Sequence, residues 1–269
     1  METDVHRLDE LSQVAEEAGW DGVFLPDCIS IETETIPAMP FYDPWVALAL
    51  IAAHTKTIRL GTLLTAIPRR RPWKLARETG TLDHVSNGRV ILSIGLGVPQ
   101  DDGGFYKVGE PEDLKIRAEL MDEGLEVLAG MWSAKPFSFA GRHYQVHRMT
   151  MLPPPVQKPR IPVWVVGVWP KPKSMNRVIR WDGVIVQKYK GSPNDVAKPE
   201  DTRAVREWVD KNRAAKGPFD LVVGCATGAR PNLKTLRQHT EAGATWWIEM
   251  MWDKHTKVRE RLRQGPPRE

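Results

Sequence analysis

Seven apolar bursts in this chain each run out into a short polar or glycine-bearing stretch, and those exits are where the sequence could do chemistry. The residues there are Asp27 and Cys28; Thr65, Ala66 and Ile67; Gly95 and Gly97; Gly167 and Trp169; Gln187; Thr227 and Gly228; and Glu249. The set holds two carboxylates and one thiol, and no histidine. The seven histidines of the chain are scattered, none in an HxH or HExxH spacing, so no metal site is expected. There is no GxSxG elbow and no phosphate-binding P-loop. Glycines, small polar groups and isolated acids suit a flat aromatic cofactor that carries the hard chemistry while the protein positions it.

Each of these positions has a second, structural reading. Asp27, after Pro26, either floors a site or caps the following loop. Gly95 and Gly97 either touch a cofactor or relieve a tightly packed strand end. The run Arg69–Arg70–Arg71 before Pro72 reads as a solvated face, with an anion clamp as the alternative. Asp83 and Arg89, in "TLDHVSNGRV", read as the tie between a helix and the next strand. Trp246 and Trp247 read as barrel wall and core, although a tryptophan at a strand end can also wall a cofactor pocket.

The elements that must position these residues follow from hydrophobic period. The bursts are "GVFL" at 22, "IRLGTLLTAI" at 58, "RVILSIGLG" at 89, "IPVWVVG" at 161, "DGVIVQ" at 182, "FDLVVGCAT" at 219 and "ATWWIEMM" at 244, which makes seven strands. Between them lie helical stretches. "VHRLDELSQVAEEAG" puts Val5, Leu8, Leu11, Val14, Ala15 and Ala18 on one stripe and stops at Gly19, and "DPWVALALIAAHT" opens with Asp43 as N-cap and Pro44 in the first turn. Further helices are expected at 72–86, 113–132, 172–181, 199–214, 231–242 and 254–264. Strands this apolar need helices on both faces, in an open doubly wound sheet or a closed barrel. The only text close to a dinucleotide fingerprint, "GLGVPQ" at 95–100, lacks its third glycine and follows the third strand. The pattern therefore favours an α/β (β/α)8 TIM-type barrel one strand short, since the chain opens on a helix. A single domain over 1–269 is expected, broken by a hairpin-like insertion at about 137–160, "FSFAGRHYQVHRMTMLPPPVQKP".

Composition narrows the function. The chain has 269 residues, 41% hydrophobic and 27% charged, ordinary for a soluble globular protein. No run approaches the roughly 18 apolar residues of a membrane span, and the N-terminus does not read as a signal peptide, so a cytoplasmic protein without membrane partners is expected. A net charge of +4, spread along the chain, gives no stripe for nucleic acid. Cys28 and Cys225, the only cysteines, make neither a disulfide framework nor a zinc site.

Several strings together resemble the bacterial luciferase-like family of flavin- and deazaflavin-dependent oxidoreductases. They are "AEEAGWDGVFLPD", "DPWVALALIAAHTKTIRLGTLLT", "RRRPWKLARETGTLDHVSNGRVILSIGLG", "MDEGLEVLAGMWS", "FSFAGRHYQV", "LPPPVQKPRIPVWVVG" and "RWDGVIVQ", in order along nearly the whole chain. The resemblance implies a barrel with the flavin over the strand ends, a non-prolyl cis peptide near Leu63, Leu64 or Thr65, and often a homodimer. It carries over Asp27, Leu63, Leu64, Thr65, Gly95 and Gly97 as ring contacts, and places the cofactor phosphate near Gly167, Val168 and Trp169. The chain departs from the family at Cys28, where many relatives have a histidine, and at Val98, where deazaflavin sugar dehydrogenases have a glutamate. Both departures argue against hydride abstraction from an alcohol, which needs a base beside the hydroxyl. The family also begins with a strand, where this chain begins with a helix.

The leading expectation is thus a monooxygenase that uses oxygen and reduced FMN on a small organic substrate, with a separate flavin reductase as a candidate partner that reduces the FMN. Asp27 and Cys28 are its candidate catalytic pair. The alternative cofactor is coenzyme F420, in a hydride-transfer enzyme. A third reading, from the missing strand, is a non-catalytic flavin-binding relative.

Overall fold

The structure is a computed structural model that describes residues 4–32, 37–97, 105–189, 197–225, 233–250 and 256–267. By its contacts the chain divides into an N-terminal unit, Met1–Ile161, and a C-terminal unit, Pro162–Glu269.

The N-terminal unit opens with α1 (Val5–Glu17), whose N-cap Asp4 accepts from the His6 N–H. The helix ends where Gly19 takes φ +82, a conformation that glycine adopts without steric cost. Next come β1 (Gly22–Leu25) and α2 (Pro44–His54), which starts as expected: Asp43 accepts from the N–H groups of Trp45 and Val46, and Pro44 needs no donor. The second burst is two strands rather than one, β2 (Arg59–Thr62) and β3 (Thr65–Ala66), separated by a cis peptide between Leu63 and Leu64. A short 3-10 turn, Ile67–Arg69, leads to α3 (Pro72–Val85), followed by β4 (Val90–Gly95) and α4 (Leu114–Trp132). Strands β1, β2 and β4 pair in parallel, and β3 continues the pairing with β4 through Thr65–Ile94 and Ala66–Gly95. Parallel pairing puts the C-terminal ends of β1, β3 and β4 at one edge of the sheet, where chemistry in such folds collects.

The insertion is an antiparallel hairpin of β5 (Phe137–Ala140) and β6 (Gln145–Met149). It is pinned to α4 by Glu123, whose carboxylate accepts from the N–H groups of Arg142, His143 and Tyr144 at the hairpin tip. At the other edge of the sheet Glu16 does the same for Lys56, Thr57 and Ile58, closing the turn between α2 and β2. Arg89, buried at the foot of β4, donates to the carbonyls of Ser86, Ile58, Ala52 and Thr55 and to the Thr55 hydroxyl. It ties α2 to β2 and β4 at once. Asp83 accepts from the backbone and side chain of Gln157, so the pair expected to join helix to strand does tie the unit together, each through other partners.

The C-terminal unit holds β7 (Val163–Trp169), α5 (Pro172–Val178), β8 (Gly183–Lys188), α6 (Pro199–Asn212), β9 (Asp220–Cys225), α7 (Leu233–Glu241), β10 (Trp246–Glu249) and α8 (Thr256–Arg263). Its four strands are all parallel, in the order β7–β8–β9–β10. Trp164 is fully buried, stacks edge-on against Trp246 at 5.1 Å and donates its indole N–H to Asp220. Trp246 and Trp247 are half-buried wall residues. Among the described residues no helix is long and apolar enough to cross a membrane.

Candidate active site at the strand ends

Pro26 stops β1, and Asp27 follows with its side chain only 1% exposed. A buried carboxylate needs partners, and this one finds them 42 and 43 positions along the chain. Arg69 donates through Nη2 to the Asp27 carbonyl at 2.6 Å and to Oδ1 at 2.7 Å, and Arg70 donates through Nη2 to the same Oδ1 at 2.6 Å. The 3-10 turn after β3 and the start of α3 aim both guanidiniums back over the end of β1. Burial works against the charge on Arg70, but the adjacent Asp27 carboxylate outweighs it and holds the guanidinium pKa above its ordinary value. The expectation of a solvated basic face is therefore corrected: the side chains of Arg69 and Arg70 are 8% and 18% exposed, because a buried carboxylate draws them in. Only Arg71 stays outside, over the ring of Trp73 at 5.9 Å.

The cis peptide lies between Leu63 and Leu64, where the resemblance puts it. Both leucines are half-exposed, whereas Thr62 and Thr65 are fully buried and share a hydroxyl hydrogen bond of 2.8 Å. Gly95 is buried at the end of β4. Gly97 sits at φ +74, and a Cβ there would lie 2.7 Å from Phe105 and 2.8 Å from the Ala66 methyl. That position needs glycine for packing, whatever else touches it. Val98 lies outside the described residues.

Two residues that the sequence reading passed over complete this edge. Phe105, buried, lies between the guanidiniums of Arg69 and Arg117 at 6.0 and 5.8 Å. Arg117, on α4, donates to the carbonyls of Leu96 and Gly97 and fixes the segment leaving β4. Burial lowers the Arg117 pKa, with Asp113 and Glu112 opposing. No local pattern announces either residue; only the proximity of Arg69 to the strand-end glycines does. Cys28 is half-buried beside Asp27 and is in no disulfide. The structure thus brings together Asp27, Cys28, Leu63, Leu64, Thr65, Gly95 and Gly97 on the strand ends of the N-terminal unit.

Gly167, Val168 and Trp169 finish β7 in the C-terminal unit. Gly167 is buried, and a Cβ on it would meet Val184 at 2.7 Å and Met175 at 3.0 Å, so it too is required for packing. The Val168 N–H donates to Ser174 Oγ, and Trp169 packs edge-on to Trp208 at 6.4 Å. Beyond them Lys171 lies 3.6 Å over the ring of Tyr189. At the end of β10, Glu249 is bound by Arg261 through two hydrogen bonds of 2.7 and 2.6 Å, which leaves it no part as a free acid. Thr227 and Gly228 lie outside the described residues.

Leu63, Leu64, Leu96 and Gly97 are half-exposed positions of these strand ends, apolar or backbone-only, and in the polar cluster beside them Asp27 commits Oδ1 to both guanidiniums while its Oδ2 is buried without a hydrogen-bond partner.

A family model described as luciferase-like monooxygenase matches residues 1–264. The chain is 31% identical over 205 residues to an uncharacterized protein of Mycobacterium tuberculosis, a match that covers 76% of this chain and 67% of that one. It is 30% identical over 158 residues to the F420-dependent glucose-6-phosphate dehydrogenase of Intrasporangium calvum, covering 58% of this chain and 46% of the dehydrogenase. Among solved structures it is similar to the coenzyme F420-dependent tetrahydromethanopterin reductase of Methanopyrus kandleri, with a TM-score of 0.75 over 98% of this chain and 95% of that one. At 16% identity this last likeness shows the fold alone, the α/β barrel class of the luciferase-like enzymes.

Proposed function

The chain belongs to the luciferase-like monooxygenase family, and on that premise we propose that its N-terminal unit seats a flavin-type ring on the ends of β1, β3 and β4 for the oxidoreduction of a small organic substrate. The observation that carries the reading is the half-exposed floor of Leu63, Leu64, Leu96 and Gly97 next to Asp27. A flat aromatic ring fits such a floor, since apolar side chains cover its face while backbone groups meet its polar edge.

We assign coenzyme F420 as the cofactor. The identity to a dehydrogenase named for that coenzyme supports it. When bound, F420 supplies or accepts a hydride, whereas reduced FMN supplies electrons to oxygen. Leu63 and Leu64 back the ring and keep water from one face. Asp27, Arg69 and Arg70 form a rigid polar rim, because each is held by another member of the set. With Oδ1 shared by two guanidiniums, Asp27 serves as an orienting group rather than a general base. The reaction class that suits such a site is hydride delivery to one atom of an activated double bond, with the proton for the other atom taken from solvent, which asks little of protein acid–base groups.

A second reading, oxygenation with reduced FMN from a partner reductase, is favoured by the family's description. The family homodimer belongs to either proposal. Fluorescence titration of the purified protein with F420 and with FMN, oxidised and reduced, tests both. Saturable binding of F420 in preference to FMN is the expected result. Preference for reduced FMN moves the assignment to oxygenation, and failure to bind either overturns the function.

A further inference from the structure

We propose that the substrate taken at these strand ends carries an oxyanion, a carboxylate or a phosphate, and that Arg70, with Arg69 beside it, is the group that receives it. The inference rests on the strand-end reading above and adds the substrate class to it.

The argument is one of unspent donors and unbalanced charge. A guanidinium has five N–H donors and no acceptor. Arg89, at the opposite edge of the same sheet, uses all of them: one from Nε, two from Nη1 and two from Nη2. Arg69 and Arg70 use Nη2 alone. The Nε of each is buried with no partner, and among the described residues nothing accepts from Nη1 of either. Both cations also converge on Oδ1 of a single carboxylate, whose Oδ2 is itself buried without a partner, so within this trio one positive charge is left over. Asp43 and Glu78 also favour the charge on Arg70, but Asp43 stands 3.9 Å away, is half exposed and already caps α2 with its other oxygen, and Glu78 is bonded to Lys74.

Two guanidiniums held by one carboxylate carry a net positive charge out of water, which is costly. The same placement is favourable once a planar oxyanion arrives, because guanidinium and carboxylate or phosphate match in geometry and charge. Arg117 adds a third guanidinium to this edge, near the Phe105 ring as Arg69 is, and its hydrogen bonds go to carbonyls. We give this oxyanion to the substrate, and titration after cofactor saturation separates it from the cofactor's own anionic groups. Arg69 is the inner, better-anchored member and holds Asp27 in place; Arg70 is the outer one and reads the substrate.

The test uses inorganic phosphate as probe, by calorimetric titration of the full chain at low ionic strength, before and after saturation with F420 or FMN. Wild-type protein binds phosphate in both states. Arg70→Gln weakens binding by about tenfold, the scale of one charge-assisted hydrogen bond, while the exposed control Lys74→Gln leaves it unchanged. In unmodified wild-type protein, phosphate also slows phenylglyoxal modification of Arg70, mapped by peptide mass spectrometry, which decides the matter even if the variant does not fold. Equal affinity in Arg70→Gln, or no protection of Arg70, overturns the proposal. Displacement of phosphate by the cofactor also overturns it, by assigning the oxyanion to the cofactor. Cofactor fluorescence is read on the same samples: loss of cofactor binding with phosphate binding intact sinks the functional reading and not this site, and the converse sinks this site alone.

Discussion

The sheet of the N-terminal unit carries buried arginines at both edges, and the two edges use them differently. At the foot of β4, Arg89 meets five acceptors at 2.7 to 3.1 Å and no carboxylate within bonding distance. Burial lowers its pKa, with Glu16 opposing, and the carbonyl cage keeps it in place. At the strand exits Arg69 and Arg70 crowd one carboxylate oxygen and leave most of their donors idle. Saturation marks a residue whose work is finished within the fold, and idle donors at a site edge mark one that waits for a ligand. On the proposed reading the foot of the sheet serves stability and the exit serves function, which is the division expected of the fold.

Substitutions break or sharpen that contrast. The largest effect is expected at Arg89→Met, which strips partners from buried carbonyls on three elements and should cost about 4 kcal/mol. Urea unfolding measures it, and a cost below about 1 kcal/mol would remove the structural reading of that edge. Asp27→Asn should cost somewhat less, about 3 kcal/mol, since it leaves two buried guanidiniums without a counter-charge. The 1% exposure of Asp27 and its double ion pair set that cost. Arg70→Gln should change stability by no more than about 1 kcal/mol, because it also relieves the surplus charge. Equal penalties for Arg70 and Arg89 would erase the difference between the edges.

The smallest effect is expected in the C-terminal unit, at His239 on α7, which is buried and bonded through Nδ1 to Thr202. Burial lowers its folded-state pKa below 6.5, with Glu200 and Asp201 opposing. The unfolded chain then takes up the proton first, so stability is full above the unfolded value and falls as pH drops through it. His239→Gln should flatten the urea midpoint between about pH 5.5 and 7.5; an unchanged acid-side slope would contradict the assignment.

Most of the elements were legible in the sequence, because apolar period, Asp43 before Pro44 and glycine at helix ends are local signals. All seven expected strands are present, and the insertion is the hairpin foreseen at "AGRHY". The break of the second strand was not legible from period, since "IRLGTLLTAI" is continuously apolar; the family resemblance alone pointed to Leu63 and Leu64. The Asp27 cluster was not legible at all. Its partners lie more than 40 residues apart, and a run of three arginines looks the same whether a buried carboxylate faces it or water does. Glu16 and Glu123, each gathering three backbone N–H groups across tens of residues, escaped for the same reason. Side-chain identity fixes what a group can bond to, and only the fold decides which partner comes within 3 Å.

Hydrogen exchange measured with and without F420 tests the central claim most directly, because it reads where the ring sits and not only whether it binds. The account predicts slowed exchange at Leu63–Ala66 and at Leu96–Gly97 in the presence of the coenzyme, with the backbone around Arg89 unchanged. Binding without protection of those strand ends, or protection centred on the foot of the sheet, would contradict it.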